Sequence, residues 1–518
     1  MAVMSKLQRR ADLESDPTDE ADAFRRLQIR LPDQFRRIFH DASAPRTVLI
    51  LPSLSLDHEV MAKVSGFTHY EERMLCLLML LRLPRTRVIY LTSEPIPDAI
   101  IDYYLHLLPG IPRNHALQRL TLLYCHDGSA QPLAAKILAR PRLVERIRQA
   151  IPDPESAHMT CYNVTDLERR LAVRLGIPIY GCDPDLLHIA SKSGSRQVLR
   201  EAGLTVPDGY ENLADIDQVV EALAALKQRK PELRRAVVKL NEGFSGEGNA
   251  VFSFVGAEEG AGLAPWIRER LPRATFEARD MTWKAFNAKI GEMGAIVEAF
   301  IEGQNKRSPS AQYRIDPLGR FEIVSTHDQL TGGNSGQIFL GCSFPADSAY
   351  ALDIQDEGLK VAKLLRKKGV LGRFCVDFVS VPEDGGWRHY AVEINIRKGG
   401  TTHPFLMLQF LTDGTYNPAT GLYDTGAGQP CYYYASDNLE APNYVGLTPE
   451  DLIDIAVENG LHFHGATQQG VVFHLIGALS EFGKIGVLCV ADSFEGAKRL
   501  YEKTITVLDR EGQRAASD

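Results

Sequence analysis

The chain has 518 residues, 44% of them hydrophobic and 24% charged, the proportions of a folded globular protein with room for about three domains. Its formal net charge of -8 excludes a global positive field for nucleic acid, so no nucleic-acid partner is predicted and only a local basic pocket remains as an anion site. The eight cysteines are scattered without any C-x-x-C, which excludes a disulfide or zinc-ribbon framework and predicts reduced thiols in a cytoplasmic compartment.

Residues 1–20 are polar and aperiodic and read as a flexible tail. An amphipathic helix is predicted over 21–39. Residues 47–53 form a buried strand. Thr68 and Glu71 make a capping-box pattern ahead of a long apolar helix reaching Leu83. Its most apolar part, 74–81, is far too short to span a bilayer, and no export signal precedes it, so no membrane partner is predicted. Strands over 87–93 and 120–125 alternate with helices over 97–108 and 137–151. This alternation predicts a parallel sheet in an α/β unit over residues 21–182. Ser53, Ser55, Thr92 and Ser93 end its strands, where open α/β sheets bind ligands.

From residue 183 the motifs change. Ser191-Lys192-Ser193-Gly194-Ser195-Arg196 precedes a helix, and Lys192 and Arg196 share a face if the segment is itself helical. Two cations at a helix start repel the macrodipole, and a nearby anion would relieve them. Lys239 stands alone in the apolar strand 236–240 and leads into a loop with Gly243, Phe244, Ser245, Gly246 and Gly248. Glycines let backbone N–H groups close on phosphate, and a lysine adds a point charge. The pattern is not the Walker one. Residues 295–303 form a strand containing Glu298, Ala299, Phe300, Ile301 and Glu302. A hairpin with Arg314 follows, then a second glycine-rich loop at 331–336 and a helix over 350–368.

The most informative stretch is 374–403. Two apolar runs flank Glu383-Asp384-Gly385-Gly386 and read as a hairpin. Asp377 lies on the first strand. Glu393 and Asn395 share one face of the second, while Val392, Ile394 and Ile396 face a core. Three oxygen-bearing side chains on neighbouring strands suit a hard cation such as Mg²⁺ or Mn²⁺. Arg397 and Lys398 follow directly, cations suited to an anionic substrate. After a short helix over 404–411, residues 412–442 are turn-rich and aromatic. Helices and strands over 448–508 then predict a small α+β module. His462 and His464 share a strand face, with His474 further on; such spacing marks polar edge residues more often than a metal site.

Taken in order, "SKSGSRQVLREAGLTVP", "VVKLNEGFSGEG", "IVEAFIEG", "FCVDFV" and "VEINIRKGGTTHPF" resemble the ATP-grasp superfamily of carboxylate–amine ligases. "NIRKGGTTHPF" is similar to the pheganomycin-type peptide ligase subgroup, which carries a pre-ATP-grasp domain and a small C-terminal extension. The resemblance implies a tail over 1–20, a pre-ATP-grasp α/β domain over 21–182, an ATP-grasp domain over 183–411 with lobes 183–303 and 304–411, and a C-terminal α+β module over 412–518. It implies ATP as cosubstrate with Mg²⁺ or Mn²⁺, and ligation of a small carboxylate to an amine or peptide through an acylphosphate. Lys192 and Lys239 then match nucleotide lysines, Gly243, Phe244, Ser245 and Gly246 the loop over the triphosphate, Glu298, Ala299, Phe300 and Ile301 the adenine linker, and Glu302 a ribose contact. Asp377, Glu393 and Asn395 match metal ligands; Arg314, Arg397 and Lys398 match catalytic cations. Two rivals stay open here: an ATP-grasp kinase or carboxylase, and a nucleotide-binding regulatory or scaffold protein without turnover. Oligomeric state is open too, a homo-oligomer included.

Overall fold

The computed structural model describes residues 17–41, 43–55, 61, 64–243, 246, 248–257, 260–278, 281–333 and 336–515. Phe244 and Ser245 of the first glycine loop, and residues 1–16 of the expected tail, lie outside them. Three larger sheets carry the architecture.

The first is parallel, in the order β3-β2-β1-β4, from β1 (Arg46–Leu51), β2 (Thr86–Thr92), β3 (Leu120–Tyr124) and β4 (Ala157–Cys161). Strands with apolar side chains on both faces need cover on both. Leu49, Leu51, Ile89 and Leu91 pack into one core, and Val48, Ile50, Val88 and Tyr90 into another. The second core runs on through the helical segment Phe67–Arg82 into C-terminal strands, which fixes the parallel sheet against the rest of the chain.

The second sheet has five strands, β5 (Gly209–Leu213), β6 (Arg235–Leu240), β7 (Asn249–Ser253), β8 (Thr275–Phe276) and β9 (Ala295–Ala299), in the order β5-β9-β6-β7-β8. Ala236, Val238 and Leu240 of β6 and Val297 and Ala299 of β9 pack under the helix Ile216–Arg229. The alternate residues, Val237, Lys239 and Glu298, therefore face the opposite side.

The third sheet has eight strands: β10 (Pro309–Ile315), β11 (Phe321–Gly332), β12 (Ile338–Phe344), β13 (Gly372–Glu383), β14 (Gly386–Asn395), then, beyond the small pair β15 (Thr415–Asn417) and β16 (Leu422–Asp424), β17 (Tyr432–Glu440), β18 (Gly470–His474) and β19 (Lys484–Ala491). The order is β14-β13-β10-β11-β12-β17-β19-β18. The C-terminal α+β part is present, and its strands extend this sheet. Tyr432–Glu440, inside a stretch expected to be turn-rich, is an interior strand pairing with β12 and β19. Its aromatic run hid the alternation: Tyr433 and Ala435 are buried in the core, while Tyr434 leans on Tyr501.

Other sequence expectations are corrected locally. The single helix over 21–39 is two, Pro17–Gln28 and Leu31–His40, because Pro32 would clash with the carbonyl of Gln28 and has no N–H for it. Pro141 divides the helix expected over 137–151 in the same way. The Thr68–Glu71 capping box does not form. Glu71 instead accepts from the backbone N–H and hydroxyl of Ser93, both at 2.6 Å, and Phe67–Arg82 winds as a tight i→i+3 helix. Val392 is not a core residue but the extra residue of a β-bulge, since Asp377 pairs with Glu393 and Phe378 with Ala391.

Candidate active site

A cavity of about 520 Å³ opens where the three sheets meet. The eight-stranded sheet supplies Glu393, Asn395 and Arg397; the five-stranded sheet supplies Leu240 with Gly243 and Gly248 of the loop; the parallel sheet supplies Ser55 and Asn163. Lys192 enters from the start of the helix Lys192–Glu201.

The floor is set by strand register. Ser310 of β10 lies opposite Asp377 of β13, and Asp377 opposite Glu393 of β14; Cys375 lies opposite Asn395. Phe374, Val376 and Ile394 point into the core beneath, so the polar residues share the upper face. Asp377 accepts from Ser310 Oγ at 2.5 Å, from Gln329 Nε2 at 2.9 Å and from Asn395 Nδ2 at 2.9 Å. Burial, and secondly the charge of Glu393, push its carboxyl up to about 6. Glu393 is ion-paired with Lys192. Two carboxylates and an amide oxygen in adjoining rows, one carboxyl lifted by its neighbour, make a donor set that a hard divalent cation fits.

The wall on the five-stranded sheet is charged but balanced. Lys239 Nζ lies 2.6 Å from Glu298, and Arg196 pairs with Glu298 and, at 3.3 Å, with Glu211. Burial alone would raise Glu298; Lys239 and Arg196 outweigh it and hold the carboxyl below its usual range. The anion expected beside the Lys192–Arg196 pair is thus carboxylate: Glu393 for one, Glu298 and Glu211 for the other.

Gly243 and Gly248, the neck of the glycine loop, line the cavity. A Cβ on Gly248 would come 2.9 Å from the Cα of Gly243, and one on Gly243 3.2 Å from the Cα of Gly248. The loop's neck is therefore too narrow for side chains at these two positions. Gly246 (φ +84°) sits against the carbonyl of Gln337, and Asn249 Nδ2 donates to Gln337 Oε1 at 2.8 Å. The loop from the five-stranded sheet thus rests on the segment after the second glycine loop, tying two sheets across the site.

Several expected residues sit elsewhere. Arg314 lies four residues along β10 from Ser310, about 13 Å at strand rise, and pairs with Glu322. Lys398 turns away: its Nζ donates to Thr160 Oγ1 at 3.0 Å and to the Cys161 carbonyl, anchoring the hairpin to β4. Burial pushes its ammonium down to about 8. Glu302 is a surface partner of Arg235, with 2.9 Å from Arg235 Nε to Glu302 Oε1. Among the linker residues, Ala299 donates its N–H to the Asp208 carbonyl at 2.7 Å, and Phe300 to that of Arg235 at 3.1 Å. Phe300 packs on Val237 and Val251, and Ile301 beside it is half-buried. Lys239, Glu298 and Asp377 lie behind the described cavity lining.

Sequence reasoning missed Asn241. Its carbonyl accepts from Lys192 N at 3.0 Å, its Oδ1 from Ser193 N at 3.1 Å, and its Nδ2 donates to Met293 O at 3.0 Å. It locks the lysine-bearing helix to the glycine loop. Ser55 was half-visible as one of four strand-end hydroxyls, while Asn163 was missed; the structure joins the two at 2.9 and 3.0 Å. Ser53 sits behind Ser55 at 2.8 Å, and Ser93 is taken by Glu71.

Residues 184–258 and 263–419 match the family model described as "IQCH-like, ATP-grasp", and residues 451–504 match "PGM1 C-terminal domain". The chain is 30% identical over 473 residues to L-propargylglycine–L-glutamate ligase of Streptantibioticus cattleyicolor, spanning 89% of this chain and 93% of that one. It is 21% identical over 531 residues to IQ motif-containing protein H of Danio rerio, spanning 91% of this chain and 49% of that one. Among solved structures, the biotin carboxylase domain of Hydrogenobacter thermophilus 2-oxoglutarate carboxylase superposes with a TM-score of 0.52 at 14% identity, covering 87% of each chain. The N5-carboxyaminoimidazole ribonucleotide synthetase purK superposes with a TM-score of 0.51 at 14% identity, covering 90% of this chain and 98% of that one. The two structures show the shared fold, and the ligase relative, matched along nearly its whole length, shows the family: the chain belongs to the ATP-grasp superfamily of carboxylate–amine ligases, ATP-dependent enzymes that form C–N bonds.

Proposed function

We propose that this enzyme joins an amino-acid-like carboxylic acid to the amine of an amino acid or short peptide. The observation that carries the reading is the meeting of Lys192, Glu393, Asn395, Arg397 and the Gly243–Gly248 neck around one cavity. The ligase relative's name, which joins two amino acids, supports the substrate class.

A carboxylate does not acylate an amine unaided, because oxide is too poor a leaving group. In the proposed sequence a carboxylate oxygen bonds to the γ-phosphorus of ATP, the bond to ADP breaks, and an acylphosphate forms. The amine nitrogen then bonds to the acyl carbon and phosphate leaves with the C–O bond pair; the ammonium product loses its proton. Asp377, Glu393 and Asn395 would hold the divalent cation, which when bound offsets charge on the phosphates. Lys192 would balance the nucleotide's charge, while Lys239, held on Glu298 behind the lining, would support that wall. Arg397, on the cavity wall and 6.0 Å from the centre of the Tyr162 ring, would orient an anionic substrate group. The two glycine loops would keep water from the acylphosphate. No thiol is assigned a role: Cys375 adjoins the site, but burial pushes it well above the usual range.

We assign residues 21–182 to a pre-ATP-grasp α/β domain, 183–411 to an ATP-grasp domain with lobes 183–303 and 304–411, and 412–518 to a C-terminal α+β module. No described helix is long and apolar enough to cross a membrane. All eight cysteines are buried and unpaired, which supports a reducing cytoplasmic setting. The test is ADP release from ATP and Mg²⁺ with a panel of amino acids and short peptides. Release that needs both an acid and an amine supports the reading. ATP turnover driven by bicarbonate, or by an acid alone to a stable phosphate, overturns it.

A further inference from the structure

Behind the cavity, three side chains from separate elements converge. His403 lies in the first turn of the helix Thr402–Thr412, Asp437 on β17 and His474 at the end of β18. They are 5%, 3% and 4% exposed. His403 Nε2 is 3.0 Å from His474 Nε2, His474 Nε2 is 2.9 Å from Asp437 Oδ1, and His403 Nε2 is 3.2 Å from that same oxygen.

With a proton on His474 Nε2, hydrogen bonding does not satisfy this triangle. If both Nε2 atoms carry protons, two donors crowd one oxygen at contact distance from each other. If His403 carries its proton on Nδ1 instead, that proton has no acceptor, since His403 Nδ1 is buried without a partner, and such a group is costly. A cation between the three atoms removes the conflict. The edges of 2.9–3.2 Å lie close to the ~3.3 Å edge of a tetrahedron with metal–ligand bonds of about 2.0–2.1 Å.

Two further features fit. Arg73 NH2 holds the other carboxylate oxygen of Asp437 at 2.7 Å, the kind of outer contact that fixes a ligating carboxylate. His474 lies across Gly486 of β19, where a Cβ would stand 2.1 Å from its Nε2, so only glycine leaves the ring this place.

We propose that His403, Asp437 and His474 form a structural transition-metal site, suited to Zn²⁺, with water as fourth ligand. Two imidazoles and one carboxylate in a buried site favour zinc over the harder Mg²⁺. The ion would pin the start of the helix Thr402–Thr412 to the C-terminal strands. It would thereby fix the segment that follows Arg397 without touching substrate.

The test is titration of the full-length, chelator-stripped protein with Co²⁺, then displacement by Zn²⁺. The expected result is one Co²⁺ per chain with the visible bands of a tetrahedral site, removed by one equivalent of Zn²⁺, and a Tm raised by Zn²⁺. His474→Gln should bind Co²⁺ more than about 100-fold more weakly. Glu393→Ala, in the nucleotide cavity, should keep the bands, which separates this site from the proposed cation site there. Absence of the bands in the wild type overturns the proposal even if His474→Gln fails to fold. Equal binding by folded His474→Gln, or loss of the bands in Glu393→Ala, overturns it too.

Discussion

On the five-stranded sheet Glu298 is enclosed by Lys239 and Arg196; on the eight-stranded sheet Asp377 and Glu393 lie side by side with Lys192 on one of them. Both clusters are buried or half-buried acids and bases at the edge of one cavity, yet their carboxyls move in opposite directions. Glu298 is held low by its cations despite burial, whereas burial and Glu393 lift Asp377 to about 6. The first cluster is electrostatically complete and supports the wall. In the second, two carboxylates adjoin, with Lys192 and Arg397 near them, and this is the donor set to which we assign the cation. A strongly perturbed carboxyl beside a cleft is a candidate for function.

Substitutions can break this contrast. The largest effect expected is on folding: Glu298→Gln leaves the 1%-exposed side chain of Arg196 short of its main counter-charge and should lower stability by about 3–5 kcal/mol, read from urea unfolding. A loss under about 1 kcal/mol would show that the first cluster is not the structural one. Next is Glu393→Ala, which should leave the fold intact and lower kcat for substrate-dependent ADP release by roughly 10²–10³-fold.

A pH experiment sharpens the difference. The folded-state pKa of Asp377, about 6, lies above the value near 4 of an unfolded aspartate, so the folded chain holds the extra proton between them. Stability from this group is fully present below about pH 4 and lost as pH rises through 6, a decline on the order of 3 kcal/mol in metal-free protein. Asp377→Asn should flatten that decline, and so should Mg²⁺ with ADP. An unchanged slope in the variant would assign the decline to other groups. The smallest effect is predicted for Arg314→Gln. This residue is spent on Glu322, so activity and stability should change by less than about 1 kcal/mol; a large loss of kcat would return Arg314 to the site.

The floor of the site was legible because β-strand alternation is short-range: the spacing of Glu393 and Asn395 sets their face, and Asp377 lies across one tight turn. Arg314 and Lys398 were misplaced for the same reason in reverse. Their types suit anion binding, but their partners, Glu322 across a hairpin and Cys161 on a distant strand, are tertiary facts. Asn241 was hidden because its role consists of backbone contacts to segments about 50 residues away on either side. The β17 strand was hidden in aromatic, turn-like composition, and with it Asp437. Proline breaks and the Val392 bulge leave signals that become decisive only once neighbouring strands are known.

The most direct measurement is the number of Mn²⁺ ions bound per chain in the presence and absence of ADP, followed by electron paramagnetic resonance, in wild type and Glu393→Ala. One nucleotide-dependent ion in the wild type, absent from a folded Glu393→Ala, is the predicted result. A nucleotide-dependent ion bound equally well by both proteins would contradict the assignment of the eight-stranded sheet's carboxylates to the cation.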